Sequence, residues 1–194
     1  MDLSIVIPVF NEEENIEPLI HEIDGVLAPM GKSYEIVAVD DGSRDGTYAV
    51  LRRLSAKAAH LKVVRLKRNF GQTAAMAAGL AHADGEVVVL MDGDAQNDPA
   101  DIGPLLNKLD EGNDMVAGWR HNRQDSFLNR RLPSMIANYL ISWTTHVKLH
   151  DYGCTLKAMR KDLAKGLRLY GEMHRFIPAI AYDRGAQIAE LKVN

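Results

Sequence analysis

Asp92 and Asp94 are separated by a single glycine in the run Asp92-Gly93-Asp94-Ala95-Gln96-Asn97-Asp98-Pro99. In an extended loop that spacing lets both carboxylates approach one small volume, and like charges held so close need a counter-ion. Oxygen ligands suit a hard divalent cation, Mg2+ or Mn2+, shared with substrate phosphates, better than Zn2+, which favours nitrogen and sulfur. A second acidic pair opens the run Asp40-Asp41-Gly42-Ser43-Arg44-Asp45-Gly46-Thr47. A carboxylate at a strand end can accept from a nucleobase. Uracil offers N3–H and guanine offers two donors, so the pair is compatible with both. The same segments also read structurally, Asp-Gly-Asp as a turn bonded to its own backbone and Ser43 or Asp45 as a helix cap.

For these loops to meet, the elements carrying them must end side by side. Short Val- and Ile-rich runs alternate with segments of helical period, the pattern of βαβ units and a mainly parallel sheet. The spacing predicts strands at 3–9, 35–39, 62–66, 86–91 and 114–118, and helices at 12–27, 44–59, 72–82 and 101–109. Near-continuous Val runs imply strands covered on both faces. Ligands bind beyond the carboxyl ends of such strands, which is where the acidic loops fall. After Trp119 the rhythm changes: a polar, basic stretch precedes Leu128, Leu132, Met135, Ile136, Tyr139, Leu140, Trp143 and Val147, one face of a long amphipathic helix. A strand at 154–159, a helix at 173–182 and an alternating strand at 188–193 complete the reading.

The 194 residues suffice for one domain, and 46% hydrophobic with 25% charged residues is an ordinary globular composition. No run approaches the roughly 20 apolar residues of a membrane span, and the N-terminus reads as a strand, not a signal peptide. One cysteine, Cys154, excludes an internal disulfide and a multi-cysteine zinc site, and reads as a small buried apolar group. His146 and His150 stand at helical spacing without an evident third ligand and read as surface residues. The net charge of −3 is segregated: residues 119–175 hold 11 Lys and Arg against 4 Asp and Glu. That suggests an acidic metal-binding half and a half that meets an anion. No G-x-G-x-x-G follows the first strand and no G-x-x-x-x-G-K-[ST] occurs, which argues against a dinucleotide-dependent dehydrogenase and a P-loop NTPase. A receiver-like Mg2+-binding signalling domain would carry its acidic pair after the first strand, not the second.

Four segments, Ile7-Pro-Val-Phe-Asn-Glu-Glu-Glu-Asn15, Val39-Asp-Asp-Gly-Ser-Arg-Asp-Gly-Thr47, Arg68-Asn-Phe-Gly71 and Met91-Asp-Gly-Asp-Ala-Gln-Asn-Asp-Pro99, resemble inverting family 2 glycosyltransferases. More narrowly they resemble the polyprenyl-phosphate branch, the dolichyl-phosphate mannose synthase-like and undecaprenyl-phosphate sugar transferases. The resemblance covers nearly the whole chain and implies a GT-A type α/β fold, a Rossmann-like, mostly parallel sheet flanked by helices in a single domain. It implies that Pro8, Asn11 and Glu12 border the nucleotide, that Asp40 or Asp41 meets the base, that Asp92 lies near ribose and sugar, and that Asp94, helped by Gln96, holds Mg2+ or Mn2+. Arg120, Arg123, Arg130 and Arg131 occupy the stretch that binds the acceptor phosphate, and the guanidinium fork suits a phosphate independently. Asp151 falls on the acceptor side. A phosphate monoester, with a second pKa of about 6, needs little general-base help, so Asp151 is expected to position groups more than accept a proton.

The implied reaction is inverting transfer of a sugar from a UDP- or GDP-sugar to a polyprenyl phosphate, with residues 1–118 as the nucleotide-sugar and metal half and 119–194 as the acceptor half of a longer parent chain. A carbohydrate or protein acceptor is the alternative. The implied location is peripheral, on the cytoplasmic face of the membrane, with the 128–147 helix resting on the interface. No nucleic-acid partner is expected, and the same helix offers a surface for a homo-oligomer.

Overall fold

In a sheet buried on both faces, successive residues of each strand feed two separate cores, and this sequence supplies apolar side chains to both. The computed structural model describes residues 1–120 and 149–194. Its strands are β1 (Leu3–Val9), β2 (Tyr34–Asp40), β3 (Leu61–Arg65), β4 (Val87–Leu90), β5 (Met115–Arg120), β6 (Lys157–Arg160) and β7 (Ile188–Val193), joined in the order β3-β2-β1-β4-β6-β5-β7. All pairings are parallel except those of β6, which runs against β4 and β5. Leu3, Ile5, Ile7 and Val9 pack on one side with α1 (Ile16–Leu27), α2 (Thr47–Ser55) and α4 (Ile102–Asp110). Val6, Val37, Val39, Val88 and Leu90 pack on the other with α3 (Gln72–His82), α5 (Lys161–Gly166) and α6 (Ile177–Asp183). Cys154 is buried, as its lone occurrence suggested.

Three expected helices are shorter than their periodicity. The segment 12–27 becomes helical only at Ile16, and 44–59 only at Thr47, because the residues before them are bonded across to a neighbouring loop. The segment 173–182 splits into a 3-10 turn, Met173–Phe176, followed by α6, with Pro178 in its first turn. The expected strand at 154–159 is β6, shifted toward Arg160, and α5 follows it directly. The amphipathic helix expected over 128–147 lies outside the described residues.

The amino ends of the strands are tied by one buried carboxylate. Glu35 accepts from Ser4 Oγ at 2.6 Å and from the Asp84 amide at 2.7 Å, and pairs with Lys62 Nζ at 2.6 Å. Burial pushes the Glu35 carboxyl up, but Lys62, Ser4 and the Asp84 amide outweigh it and leave its pKa below the ordinary 4.5. A carboxyl depressed on folding contributes stability that is complete above its unfolded pKa and lost as pH falls through the folded one. Glu35→Ala is expected to cost about 2–3 kcal/mol in urea unfolding at pH 7, and the gap between variant and parent should close below pH 4.5. A cost independent of pH would assign the loss to packing.

Candidate active site

β1 and β4 stay in register only from Leu3↔Val87 to Val6↔Leu90, whereas β1 continues beside β2 to Val9↔Asp40. The sheet therefore opens at the carboxyl end between β1 and β4, where the strand order reverses and open α/β sheets bind ligands. Pro8 sits at this opening. Alternate carbonyls of β1 face alternate neighbours, Val6 accepting from Met91 and Val9 from Asp41, so the missing Pro8 N–H faces the side that β4 has already left. The Asp92–Asp94 loop covers that side closely: a Cβ on Gly93 would stand 2.7 Å from Val9 Cγ1 and 3.1 Å from the Pro8 carbonyl.

On the β2 side, the loops before α1 and α2 are fastened to each other. The Asn11 amide donates to Ser43 Oγ, the Arg44 amide to Asn11 Oδ1, the Gly46 amide to Glu13 Oε2 and the Glu12 amide to Thr47 Oγ1, all within 3.0 Å. Asn11 takes a left-handed φ of 57° to do this. Asn11 and Glu12 thus shape the wall of the crevice through bonds to protein, and Glu12 also accepts from Asn15. Of the two expected caps, Ser43 is spent on Asn11, while Asp45 accepts from the Thr47 amide.

The structure separates Asp40 from Asp41. Asp41 spends both oxygens on the amides of Phe70 and Gly71, at 2.8 Å each, and so anchors the turn into α3. Asp40 accepts from the Ser43 amide through Oδ1, while its buried Oδ2 has no hydrogen-bond partner among the described residues and lies 3.4 Å from Arg65 Nε. Beside it, Gly42, Ser43, Arg65, Leu66 and Lys67 line a cleft of about 470 Å³. Gly42 is required there: its φ is +69°, and a Cβ would meet the Arg68 backbone at 2.4 Å.

On the β4 side, Asp92 accepts from Gln72 Nε2 at 2.6 Å through Oδ1, and its amide donates to Asn97 Oδ1. Burial pushes the Asp92 carboxyl up and Asp94 adds to this, against the Thr155 hydroxyl, Lys157 and Arg120. Asp94 turns one oxygen back to the Gln96 amide at 3.1 Å, with Ala95 between them at a left-handed φ of 58°. The Gln96 residue is exposed beside it. Among the described residues no three His, Cys, Asp or Glu side chains gather into a complete metal cage. One or two carboxylates with the remaining positions left to phosphate and water is how Mg2+ is commonly held, so Asp92 and Asp94 fit Mg2+ or Mn2+ bound together with a diphosphate.

At the end of β5, Arg120 makes a two-pronged pair with buried Asp151, Nε to Oδ2 at 2.9 Å and the second prong at 3.3 Å. Burial draws the Arg120 pKa down, and Asp151, with help from Cys154 and Asp92, carries it above the ordinary value. The next residues form a stack: Trp119 lies on His150 with ring centroids 4.0 Å apart, and His150 Nδ1 contacts Glu190 Oε2 at 2.6 Å. Arg123, Arg130, Arg131 and His146 lie outside the described residues.

Sequence reasoning missed three members. Gln72 and Thr155 orient Asp92, and Lys157 is a fully buried lysine at the start of β6, bonded to the Cys154 carbonyl and in the field of Asp92 and Asp151. Burial pushes its pKa down. A lysine among Leu156, Ala158 and Met159 in the strand expected at 154–159 was the available signal.

The glycosyl transferase family 2 model matches residues 4–168. Among curated proteins, the chain is 46% identical over 181 residues to dodecaprenyl-phosphate galacturonate synthase of Rhizobium johnstonii, covering 92% of this chain and 54% of that protein. It is 39% identical over 193 residues to undecaprenyl-phosphate 4-deoxy-4-formamido-L-arabinose transferase of Shewanella sediminis, covering 99% and 58%. The chain thus spans somewhat more than half the length of these relatives. Similar solved structures include glucosyl-3-phosphoglycerate synthase from Mycobacterium tuberculosis in complex with Mn2+, UDP and phosphoglyceric acid, with TM-score 0.76, 22% identity and coverage of 98% of this chain and 68% of that one. A mannosyltransferase from Pyrobaculum calidifontis in complex with GDP-Man and Mn2+ aligns with TM-score 0.72 at 22% identity, covering 98% and 54%. These neighbours share the fold. With the acidic loops placed at that opening and the family model spanning most of the residues, the chain belongs to glycosyl transferase family 2.

Proposed function

We propose that this chain is the catalytic domain of an inverting glycosyltransferase that moves a sugar from a uridine-diphosphate donor to a polyprenyl phosphate at the cytoplasmic face of the membrane. The observation that carries the reading is the order of groups along the sheet edge. Asp40 ends β2, Asp92 and Asp94 follow β4, and Arg120 ends β5, so base, diphosphate and acceptor stations run across about 19 Å at strand spacing. Residues 1–118 then serve the donor, and 119–194 the acceptor. The curated relatives' names, both polyprenyl-phosphate sugar enzymes, support the acceptor.

Asp40 favours uracil. With Oδ1 spent on Ser43, one acceptor oxygen is left, buried 3.4 Å from Arg65 Nε, and a base would reach it by displacing the exposed Arg65 side chain outward. One acceptor beside that donor matches N3–H next to a carbonyl. Guanine presents N1–H and the 2-amino group together, and its second donor would be left without an acceptor, a penalty of roughly 1–3 kcal/mol.

Asp92 and Asp94 would hold Mg2+ or Mn2+, which supplies charge neutralisation at the departing diphosphate. Gln72 and Thr155 fix Asp92, and the bond from the Gln96 amide to Oδ1 leaves Asp94 its other oxygen. Arg120, aimed by Asp151, meets the acceptor phosphate, whose anionic oxygen attacks the anomeric carbon from the face opposite the diphosphate. Alignment and fixed charge then account for most of the rate. Calorimetric titration with UDP and GDP, each with Mn2+, tests the donor site. UDP is expected to bind at least about tenfold more tightly than GDP, and equal affinities would remove Asp40 as the selector. Transfer from UDP-sugars to a short polyprenyl phosphate, compared with a free sugar acceptor, tests the rest.

A further inference from the structure

A polyprenyl phosphate keeps its chain in the bilayer while its phosphate is used, so one lip of the crevice must meet the membrane. Resting on the acceptor reading above, we infer that this lip is the α3-side rim, formed by the turn into α3 and the turn before α6, and that its partner is an anionic phospholipid surface.

The topology brings the two turns together. α5 lies beside the carboxyl end of α3, where Lys165 Nζ donates to the Leu80 and Ala81 carbonyls. From there the chain climbs to the opposite end of α3, and His174 Nδ1 meets Thr73 Oγ1 in its first turn at 2.7 Å. α6 then returns to the amino edge, where the Gln187 amide donates to Asp114. The turn before α6, which carries Phe176, therefore stands at the carboxyl end of the sheet against the first turn of α3, with Tyr170 on the approach to it and Phe70, which Asp41 holds at the crevice, just before α3.

Among the described residues these three rings are large apolar side chains left exposed: Phe70 53%, Tyr170 72% and Phe176 38%. Lys67, Arg68 and Arg175 are exposed among them, against one exposed carboxylate, Glu172, and Arg68 lies 4.8 Å over the Phe70 ring. Aromatic rings interleaved with cations are the composition that seats in an anionic headgroup layer. The opposite lip, before α1, carries one exposed ring, Phe10, and three carboxylates, Glu12, Glu13 and Glu14, which such a surface repels. The asymmetry gives the docked domain one orientation.

The test is a depth measurement. Tyr170→Cys and, as a control at the amino edge, Glu111→Cys are each labelled with an environment-sensitive fluorophore, Cys154 being buried. Each is mixed with phosphatidylglycerol/phosphatidylcholine vesicles. The label at 170 is expected to shift to the blue and to be quenched by brominated acyl chains, and the label at 111 to do neither. Tyr170→Ser/Phe176→Ser should lower vesicle partition at least about tenfold while leaving Mn2+–UDP affinity unchanged. Raised salt should lower it further. Vesicle binding with position 170 in water, or with position 111 buried, overturns the inference, as does no vesicle binding at all. Turnover of a short, soluble polyprenyl phosphate is measured in parallel, so a failed docking face is distinguishable from a failed acceptor assignment.

Discussion

Asp94→Asn is expected to lower kcat/KM in Mn2+ by about 10³-fold while the domain stays folded. The side chain's recorded bond is to the Gln96 amide, and an asparagine carbonyl can accept it equally well. What is lost is the formal charge, and a cation's charge stabilisation of several kcal/mol corresponds to a factor of that size. Steady-state transfer against Mn2+ concentration, with circular dichroism as the folding control, reads both. In calorimetry, the Mn2+-dependent part of UDP binding should disappear and a weaker metal-independent part remain. Near-parental turnover in the variant would take the metal away from this loop altogether.

Asp151→Ala should be the most destabilising single change near the crevice. The Arg120 and Asp151 side chains are 17% and 9% exposed, and removing one partner of a buried pair leaves an uncompensated charge worth about 3–5 kcal/mol. Urea unfolding with an unchanged m-value measures it. Asp151→Asn keeps an acceptor for the Gly153 amide and should fold better, yet with Arg120 no longer held by a carboxylate its KM for the lipid phosphate should rise more than kcat falls. If Asp151 only positions Arg120, the pH–rate profile keeps its acidic limb in Asp151→Asn. Loss of that limb would make Asp151 the base.

Much of this was legible in the sequence because parallel sheets leave plain marks. The Val- and Ile-rich runs marked the first five strands and the apolar period marked α1, and the acidic loops announced their position at the strand ends. Other features were not readable. Asp40 and Asp41 are neighbours of identical type, and only the Phe70 and Gly71 amides, about 30 residues away, decide that one is structural while the other keeps a buried oxygen, facing Arg65, without a hydrogen bond. Helix starts were misplaced because residues 12–15 and 43–46 bond across loops, a contact invisible to periodicity. The direction of β6 was equally hidden. A four-residue strand reads the same in either sense.

That reversed strand governs how the domain is assembled. β4 and β5 do not touch in the ladder, and each pairs instead with β6, whose partners on β4 lie roughly 70 residues earlier in the chain. As the polypeptide is made, β1 to β4 can pair with one another in turn, whereas β5 has no place beside them until β6 is inserted. The sheet is therefore completed by late, long-range pairing, β6 between β4 and β5 and then β7 outside β5. The insertion of β6 carries Lys157 into the interior in the same step, so this buried lysine is placed only when the two halves of the sheet are joined.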